Sequence, residues 1–272
     1  MIQLLAIDMD GTCLNQHSKI SAKTMTALKL AAKAGIQIAP TTGRALSCLP
    51  YQLSNQKDLY RYVISSNGAQ VTDCTNMKSV YTASISKSTA LSLLSQCRSE
   101  RLGISAHISH EYLVQGYLLI LLGYFIYGRD AENTKYVRNM AKAIQNTDGD
   151  LEELQFYFLS KNAAGNAKNI LAEFSDLSAA YDKSYVEIFP KNASKGDALL
   201  RLASYLHIQK ECIACIGDGE NDLGMFQVSG LRFAMGNAVP ALKQQADYIL
   251  PSNREDGVAE AISRYILQER TS

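Results

Sequence analysis

The sequence predicts an α/β protein in which a helix-flanked parallel sheet is interrupted by a second α/β unit. Short apolar runs alternate with helical patterns in the N-terminal third and again in the C-terminal third. Residues 83–183 also alternate, but none of their strand-like runs ends in small and acidic residues. We therefore expect 1–82 and 184–272 to form one core domain and 83–183 to form an inserted domain.

The N-terminal third contains three strand candidates. Residues 4–7 form an apolar run that ends at Asp8. Residues 21–34 carry apolar side chains at helical spacing and precede Gly35, a common helix stop. Strands over 36–39 and 62–65 follow, each ending in small polar residues. Short connections between strand, helix and strand indicate parallel pairing.

The C-terminal third repeats this order of strands and helices. A strand over 212–216 ends in a glycine- and acid-rich loop, and further short strands follow. The predicted elements are a helix over 195–206, a strand over 212–216, a helix over 220–227, strands over 231–235 and 247–250, and a helix over 258–267.

The middle of the chain carries helical patterns over 87–101, 133–145 and 167–174. Residues 116–127 read GYLLILLGYFIY, about half the length of a membrane-spanning helix. We expect buried strands or core there. The alternative is an apolar contact surface.

Composition excludes several classes of protein. Lys+Arg is 27 and Asp+Glu is 26, so no basic excess favours a nucleic acid polymer or an anionic membrane as partner. The chain start lacks the pattern of a signal peptide, and the six cysteines show no framework spacing. We therefore expect reduced thiols and a cytoplasmic location. No pattern predicts the oligomeric state.

Four carboxylates follow predicted strands and should meet at one sheet edge. Asp8 and Asp10 follow the first strand, and Asp218 and Asp222 follow the strand over 212–216. Ligands of open parallel sheets bind beyond the carboxyl ends of the strands. Clustered carboxylates repel one another, and a hard divalent cation with oxygen ligands relieves that repulsion. The pattern predicts a Mg²⁺ site suited to an anionic ligand such as phosphate.

Other residues of this edge offer donors and close backbone approach. Thr12, Thr42 and Asn221 offer neutral hydrogen bonds, and Lys195 offers a compact positive charge. Asn67 ends the strand over 62–65 and is a candidate substrate contact. Each motif alone also fits an acidic turn, a helix cap or a solvated helix start. Their order and their positions at element boundaries together predict a functional site.

These motifs resemble the haloacid dehalogenase-like phosphatases, specifically the Cof-type branch. The resemblance covers nearly the whole chain. Its segments are DMDGT at 8–12, TGR at 42–44, SNGA at 66–69, SKG at 194–196, GDGEND at 217–222, MGNA at 235–238 and EDGVA at 255–259.

The resemblance implies a Rossmann-like parallel-sheet core (1–82 and 184–272) and an inserted α/β cap domain (83–183) that selects the substrate. It implies Asp8 as the nucleophile and Asp10 as general acid, then general base. It also implies Mg²⁺ bound by the Asp8 carboxylate, the Asp10 backbone carbonyl and Asp218. Asp222 would act as a further ligand or as an anchor.

The same resemblance implies how the substrate is held. Thr42, Gly43, Lys195 and Asn221 would bind the phosphoryl oxygens, and Arg44 would join Asn67 as a substrate contact. These assignments follow the motifs residue by residue.

The activity that the resemblance implies is Mg²⁺-dependent hydrolysis of a small phosphorylated metabolite through an aspartyl-phosphate. Candidate substrates are a sugar phosphate, pyridoxal phosphate, and a flavin or nucleotide monophosphate. One alternative is a phosphomutase or phosphotransferase. Another is a non-enzymatic phospho-acceptor domain, although such domains lack a cap of this size and carry the acceptor Asp on a later strand.

Overall fold

The computed structural model of the chain describes residues 1–54, 56 and 58–268. The strands are β1 (Leu4–Asp8), β2 (Gln37–Thr41), β3 (Tyr62–Ser65), β4 (Gln70–Asp73), β5 (Lys78–Thr82), β6 (Leu102–Ile108), β7 (Glu111–Gln115), β8 (Lys135–Val137), β9 (Leu151–Phe158), β10 (Leu177–Tyr181), β11 (Tyr185–Pro190), β12 (Ile213–Gly217), β13 (Leu231–Ala234) and β14 (Tyr248–Ile249).

The helices are α1 (Ala22–Lys33), α2 (Tyr51–Ser54), α3 (Lys87–Gln96), α4 (Tyr117–Tyr127), α5 (Met140–Asn146), α6 (Ala163–Leu171), α7 (Lys195–Tyr205), α8 (Leu223–Val228), α9 (Pro240–Gln245) and α10 (Gly257–Glu260), which continues as a π-helical turn over Ala261–Ile266.

The chain forms two compact units. Unit 1 comprises Met1–Gly43, Pro50–Tyr81 and the described part of Ser194–Ser272, and unit 2 comprises Arg44–Leu49 and Thr82–Ala193. These bounds differ from the predicted boundaries at three places, of which the smallest is Thr82, which lies in unit 2 and not in the core. Residues 184–193 lie in unit 2 because β11 pairs antiparallel with β9. Residues 44–49 lie there too, since Ser47 N donates to His110 O at 2.9 Å.

Unit 1 is built on a largely parallel sheet, which confirms the predicted fold class. Its strand order is β14-β13-β12-β1-β2-β3-β4-β5. β1 pairs parallel with both β12 and β2. The chain therefore proceeds to one side of β1 through β2 and β3, and to the other side through β12 and β13. Ligand sites of open sheets lie at such a reversal of strand order.

The central strands follow from their sequences. All five residues of β1 are buried, as are all five of β12. A continuous apolar run is typical of a parallel strand covered on both faces. Each run ends in polar residues at the carboxyl edge, so Asp8 and the loop after Gly217 emerge side by side.

Unit 2 contains a six-stranded sheet in the order β10-β11-β9-β6-β7-β8. Its core includes Phe156, Leu154 and Ile188 from the strands and Leu93 and Met140 from α3 and α5, each fully buried. Along β9 and β11 the apolar core residues alternate with polar ones, as expected when helices cover only one face of the sheet.

The expectation of buried strands or core over 116–127 was wrong. The run forms helix α4, in which Leu118 and Phe125 expose 71% and 89% of their surface. Gly116 and Gly128 bound the helix with positive φ angles of 101° and 54°. A uniformly apolar run has no periodicity to separate helix from strand, and its leucines are strong helix formers. None of the helices in the described residues is long and apolar enough to cross a membrane.

The helix predicted over 133–145 was wrong in its first half. Residues Lys135–Val137 form β8, which pairs with β7 in parallel. Helix α5 begins only at Met140, where the side chain of Asn139 accepts a hydrogen bond from Lys142 N. An asparagine is a favoured residue before a helix, so this local cap sets the start.

Helices α7 and α8 of unit 1 approach closely through two glycines. A Cβ atom on Gly196 would lie 2.5 Å from the backbone carbon of Gly224. That separation is too short for any side chain larger than hydrogen. The contact fixes the first turn of α7, and with it Lys195, against the loop after β12.

We expect Gly196→Ala to lower the free energy of unfolding by about 1–3 kcal/mol, because the methyl group forces α7 away from α8. The control is Gly165→Ala in α6, where a Cβ would meet no atom within 4 Å. That change should leave stability equal or raise it by about 0.5–1 kcal/mol. Urea denaturation measures both. A Gly196→Ala protein as stable as the wild type would contradict the close contact.

Candidate active site

Asp8 is the last residue of β1 and is 5% exposed. Its Oδ1 atom accepts a hydrogen bond from Lys195 Nζ at 2.6 Å. Its Oδ2 atom is buried and accepts no hydrogen bond from the residues that the structure describes. A buried carboxylate oxygen without a partner is costly, which indicates that a ligand completes its surroundings.

Lys195 connects two of the predicted carboxylates. The side chain of Ser194 accepts a hydrogen bond from Asp197 N, which begins α7 and directs Lys195 inward. The ammonium donates to Asp8 Oδ1 and, at 2.7 Å, to Asp222 Oδ1. Burial disfavours the charged ammonium, but the two carboxylates outweigh it and raise the pKa of Lys195 above its usual value. The side chain therefore stays protonated.

Asp222 is fully buried and holds the loop after β12 in shape. Its Oδ2 atom accepts hydrogen bonds from the backbone N–H groups of Asp218 and Gly219, at 2.9 and 3.0 Å. With Lys195 on Oδ1, both carboxylate oxygens have partners. These contacts fix the position of Asp218 relative to Lys195.

The neighbouring loop after β1 holds Asp218 in place. Its Oδ1 atom accepts a hydrogen bond from Thr12 Oγ1 at 2.9 Å. Gly11 has φ +87°, and a Cβ atom there would collide with the Asp218 carboxylate. Only glycine combines that backbone conformation with so close an approach.

Asp8, Asp218 and Asp222 form one carboxylate cluster. Each offers an oxygen, and these oxygens lie within 4.8 Å of one another. Burial and the charge of Asp222 raise the pKa of Asp8 well above its usual value, against the effect of Lys195. Burial and Asp222 also raise the pKa of Asp218, although its hydrogen bond from Thr12 lowers it.

One ammonium faces three carboxylates in this cluster. The remaining negative charge, the oxygen-only donor set and the unpartnered Asp8 Oδ2 together fit a hard divalent cation such as Mg²⁺. The residues present therefore suit the cofactor that the sequence predicted.

The carboxylate of Asp10 lies outside the cluster of Asp8, Asp218 and Asp222. Asp10 is exposed, and its backbone forms a bridge with Leu14 in the loop after β1. Four carboxylates were expected to meet at this edge, but that of Asp10 is not among the three that lie within 4.8 Å of one another. The Asp10 atom expected to contact the metal is its backbone carbonyl.

Thr42, Asn67 and Asn221 come together beside the cluster. Asn67 N donates to Thr42 O at 3.1 Å, and Asn221 Nδ2 donates to Asn67 Oδ1 at 3.2 Å. Asn67 has φ 54°, a left-handed backbone conformation two residues after the end of β3. A Cβ on Gly43 would lie 3.0 Å from Asn67 Oδ1, so these loops are tightly packed.

Arg44 lies in unit 2, whereas the other predicted site residues lie in unit 1. Its guanidinium donates to Asp130 Oδ2 at 2.8 Å, and both side chains are nearly buried. The charge of Arg44 thus balances a carboxylate of its own unit. The sequence motif gave no sign of this pairing, because Asp130 lies far away along the chain.

Asn237 is a site residue to which the sequence reasoning assigned no role. Its Nδ2 atom donates to Gly11 O at 2.8 Å and to Asp218 Oδ2 at 3.1 Å. Its Oδ1 atom accepts from Asn253 N at 3.0 Å. The available signal was its position in the M-G-N-A segment directly after β13, at the same sheet edge.

We expect Lys195→Met to lower the free energy of unfolding by about 3–5 kcal/mol at neutral pH, because two buried carboxylates lose their counter-charge. The deficit should shrink as the pH falls. The pKa of Asp8 is raised in the folded chain, so Asp8 binds a proton more readily there than in the unfolded chain. That protonation stabilises the folded state at low pH, and the stabilisation is lost as the pH rises.

Urea denaturation in metal-free buffer measures this effect. The control Lys29→Met removes an exposed lysine of α1 and should change stability by less than about 0.5 kcal/mol. If Lys195→Met and the wild type had the same free energy of unfolding at neutral pH, the ammonium would not hold the carboxylates together.

Comparisons with known proteins show the family to which the chain belongs. The family model described as haloacid dehalogenase-like hydrolase matches residues 5–262. A 5-amino-6-(5-phospho-D-ribitylamino)uracil phosphatase of Bacillus subtilis is 29% identical over 284 positions, covering 97% of this chain and 98% of the relative. A putative phosphatase of Streptococcus pyogenes is also 29% identical, covering 98% and 99%.

Solved structures show the same fold. A haloacid dehalogenase-like hydrolase from B. subtilis has a TM-score of 0.81 at 26% identity and covers 97% of this chain and all of that one. A Bacteroides thetaiotaomicron hydrolase, at 23% identity, has a TM-score of 0.84 and covers 97% and 99%. The family resemblance seen in the motifs is thereby confirmed: the chain belongs to the haloacid dehalogenase-like hydrolases.

Proposed function

We propose that the protein is a Mg²⁺-dependent phosphatase that hydrolyses small phosphorylated metabolites through an aspartyl-phosphate on Asp8. One observation carries the proposal. Asp8 ends the central strand with a buried, unpartnered Oδ2, beside Asp218, Asp222 and Lys195. The family and the phosphatase names of its relatives support the reaction class.

The metal-holding residues follow from their hydrogen bonds. Asp8 and Asp218 would hold Mg²⁺ with the Asp10 backbone carbonyl. Asp222 acts as an anchor, because its two oxygens already accept three hydrogen bonds. When bound, the ion neutralises the carboxylates and attracts phosphoryl oxygens to the site.

Asp8 supplies the nucleophile. Its carboxylate forms a bond to phosphorus while the bond to the ester oxygen breaks on the opposite side. Lys195, bonded to Asp8 Oδ1, orients the carboxylate and favours its ionised form for this attack, against the effect of burial. The acyl phosphate is then cleaved by water, which returns Asp8 and releases inorganic phosphate.

Asp10 supplies the proton transfers. Its exposed carboxyl group lies two residues after the nucleophile. It donates a proton to the leaving alkoxide in the first step and accepts one from the attacking water in the second, so that the group returns to its starting state.

Fixed donors would stabilise the phosphoryl group. Thr42, Gly43 and Asn221 join Lys195 as the residues that contact its oxygens, where charge shifts in the transition state. Asn221 is oriented by its hydrogen bond to Asn67. That Asn67 and Arg44 contact the substrate directly stays a prediction. For Arg44 the contact must compete with Asp130.

The substrate class is inferred from the relatives and the architecture. Two B. subtilis relatives, each 29% identical, are named for a phosphomonoester of a ribitylaminouracil. That compound carries a sugar-alcohol phosphate on a heterocycle, and it belongs in a panel beside sugar phosphates, pyridoxal phosphate and flavin or nucleotide monophosphates. We assign discrimination among them to the predicted cap, residues 83–183.

We expect release of inorganic phosphate from at least one panel member with Mg²⁺ and none after chelation. Asp8→Asn should lower kcat by about 1,000-fold or more, because it removes the nucleophile. The control Asp58→Asn changes an exposed residue of unit 1 and should retain full activity.

Product analysis separates the alternatives. An isomeric phosphate ester would instead indicate a phosphomutase, and a long-lived phospho-Asp8 without turnover would indicate a phospho-acceptor domain. Failure to release phosphate from every phosphomonoester, with Mg²⁺ present, would contradict the proposed function.

A further inference from the structure

Helix α4 of unit 2 presents an apolar face that the described residues leave uncovered. Leu118, Leu121, Leu122 and Phe125 follow one another at i, i+3, i+4 and i+7, so they share one side of the helix. They expose 71%, 65%, 47% and 89% of their surface. We call these four residues the α4 face.

The two flanks of the α4 face are fixed to unit 2. A Cβ on Gly103 of β6 would lie 2.6 Å from Leu119 Cδ1, which shows how closely the helix sits on the sheet. The ring of Tyr117 stacks on that of Tyr136 with centroids 4.1 Å apart. Tyr124 OH donates to Glu132 O at 3.4 Å. The helix therefore holds its α4 face outward from a defined position.

The exposed area is large enough for a specific interface. Tyr117 and Tyr124 flank the α4 face and expose 68% and 41% of their surface. With about 150–250 Å² per aromatic side chain and slightly less per leucine, the apolar patch reaches roughly 700 Å². Patches of more than a few hundred Å² mark interaction sites, and a stable interface takes about 800 Å² from each partner.

The chemistry of the patch favours a second copy of the chain as its partner. Residues 117–127 contain no charged side chain. Homodimer interfaces are more apolar than other interfaces and are enriched in aromatic residues. A helix that lies on an anionic membrane carries Lys and Arg on its polar face, and this helix has none.

We propose that two chains associate through α4, with the two helices packed antiparallel about a two-fold axis. A two-fold axis makes the contact self-complementary, so the same patch serves both chains. Antiparallel packing also sets opposite helix-end partial charges side by side. With the axis near Leu121 and Leu122, Leu118 of one chain meets the partner subunit's Phe125.

Sedimentation velocity over a concentration series tests this proposal on the full chain. The wild type should show a reversible monomer–dimer equilibrium. Leu118→Gln/Phe125→Gln should raise the dimer dissociation constant by about 100-fold or more, because four apolar side chains leave the interface. Both side chains are exposed and glutamine is a good helix former, so the variant should keep its wild-type circular dichroism spectrum.

A control replaces two exposed leucines elsewhere. Leu30→Gln/Leu200→Gln alters α1 and α7 of unit 1, where the two side chains expose 51% and 47%. This variant should dimerise like the wild type. Weakening by the control equal to that by the α4 variant would overturn the assignment to α4.

A charge pair tests the antiparallel arrangement. Phe125→Glu alone should weaken the dimer, and Leu118→Lys/Phe125→Glu should restore it by placing opposite charges across the axis. No recovery in the double variant would overturn the antiparallel register. A wild type that stays monomeric at every concentration would overturn the proposed dimer. If that monomer also pellets with phosphatidylcholine vesicles, the patch is assigned to lipid instead.

Discussion

The ammonium of Lys195, buried between Asp8 and Asp222, is the interaction on which the site depends. It joins three segments that lie far apart in the chain, and it does so where burial disfavours every charge involved. Three carboxylates within 4.8 Å of one another cannot be balanced by one ammonium. The folded chain therefore creates a site with excess negative charge and one buried oxygen without a partner. Such a site suits a hard cation and, through it, an anion.

The topology of unit 1 makes this convergence possible. Strand order reverses at β1, so the loops after β1 and β12 emerge next to each other. Glycines allow these loops and helices to approach more closely than side chains would permit: Gly11 against Asp218, and Gly196 against Gly224. Asn237 then ties the β13 loop to both Gly11 and Asp218. The same residues thus serve the packing of the sheet edge and the arrangement of the carboxylates.

The core strands and the carboxylate site could be predicted from the sequence, because fully buried apolar runs end directly in acidic loops. Asp8, Asp218 and Asp222 lie together as that pattern required. Features set by distant partners were not predictable. The ion pair of Arg44 depends on Asp130, and the strand β8 depends on its pairing with β7. Helix α4 was misread because a run that is apolar at every position carries no periodic signal. The M-G-N-A segment marked the position of Asn237 but not its role, which comes from contacts with two loops.

Direct measurement of Mg²⁺ binding tests the central claim, that these carboxylates share one divalent cation. Isothermal titration calorimetry of the metal-free protein should show one Mg²⁺ per chain. Asp218→Asn should weaken that binding by about tenfold or more, because one charged oxygen ligand is lost. Asp58→Asn, on the exposed surface of unit 1, should bind as the wild type does. Absence of Mg²⁺ binding, or equal affinity in wild type and Asp218→Asn, would contradict this account.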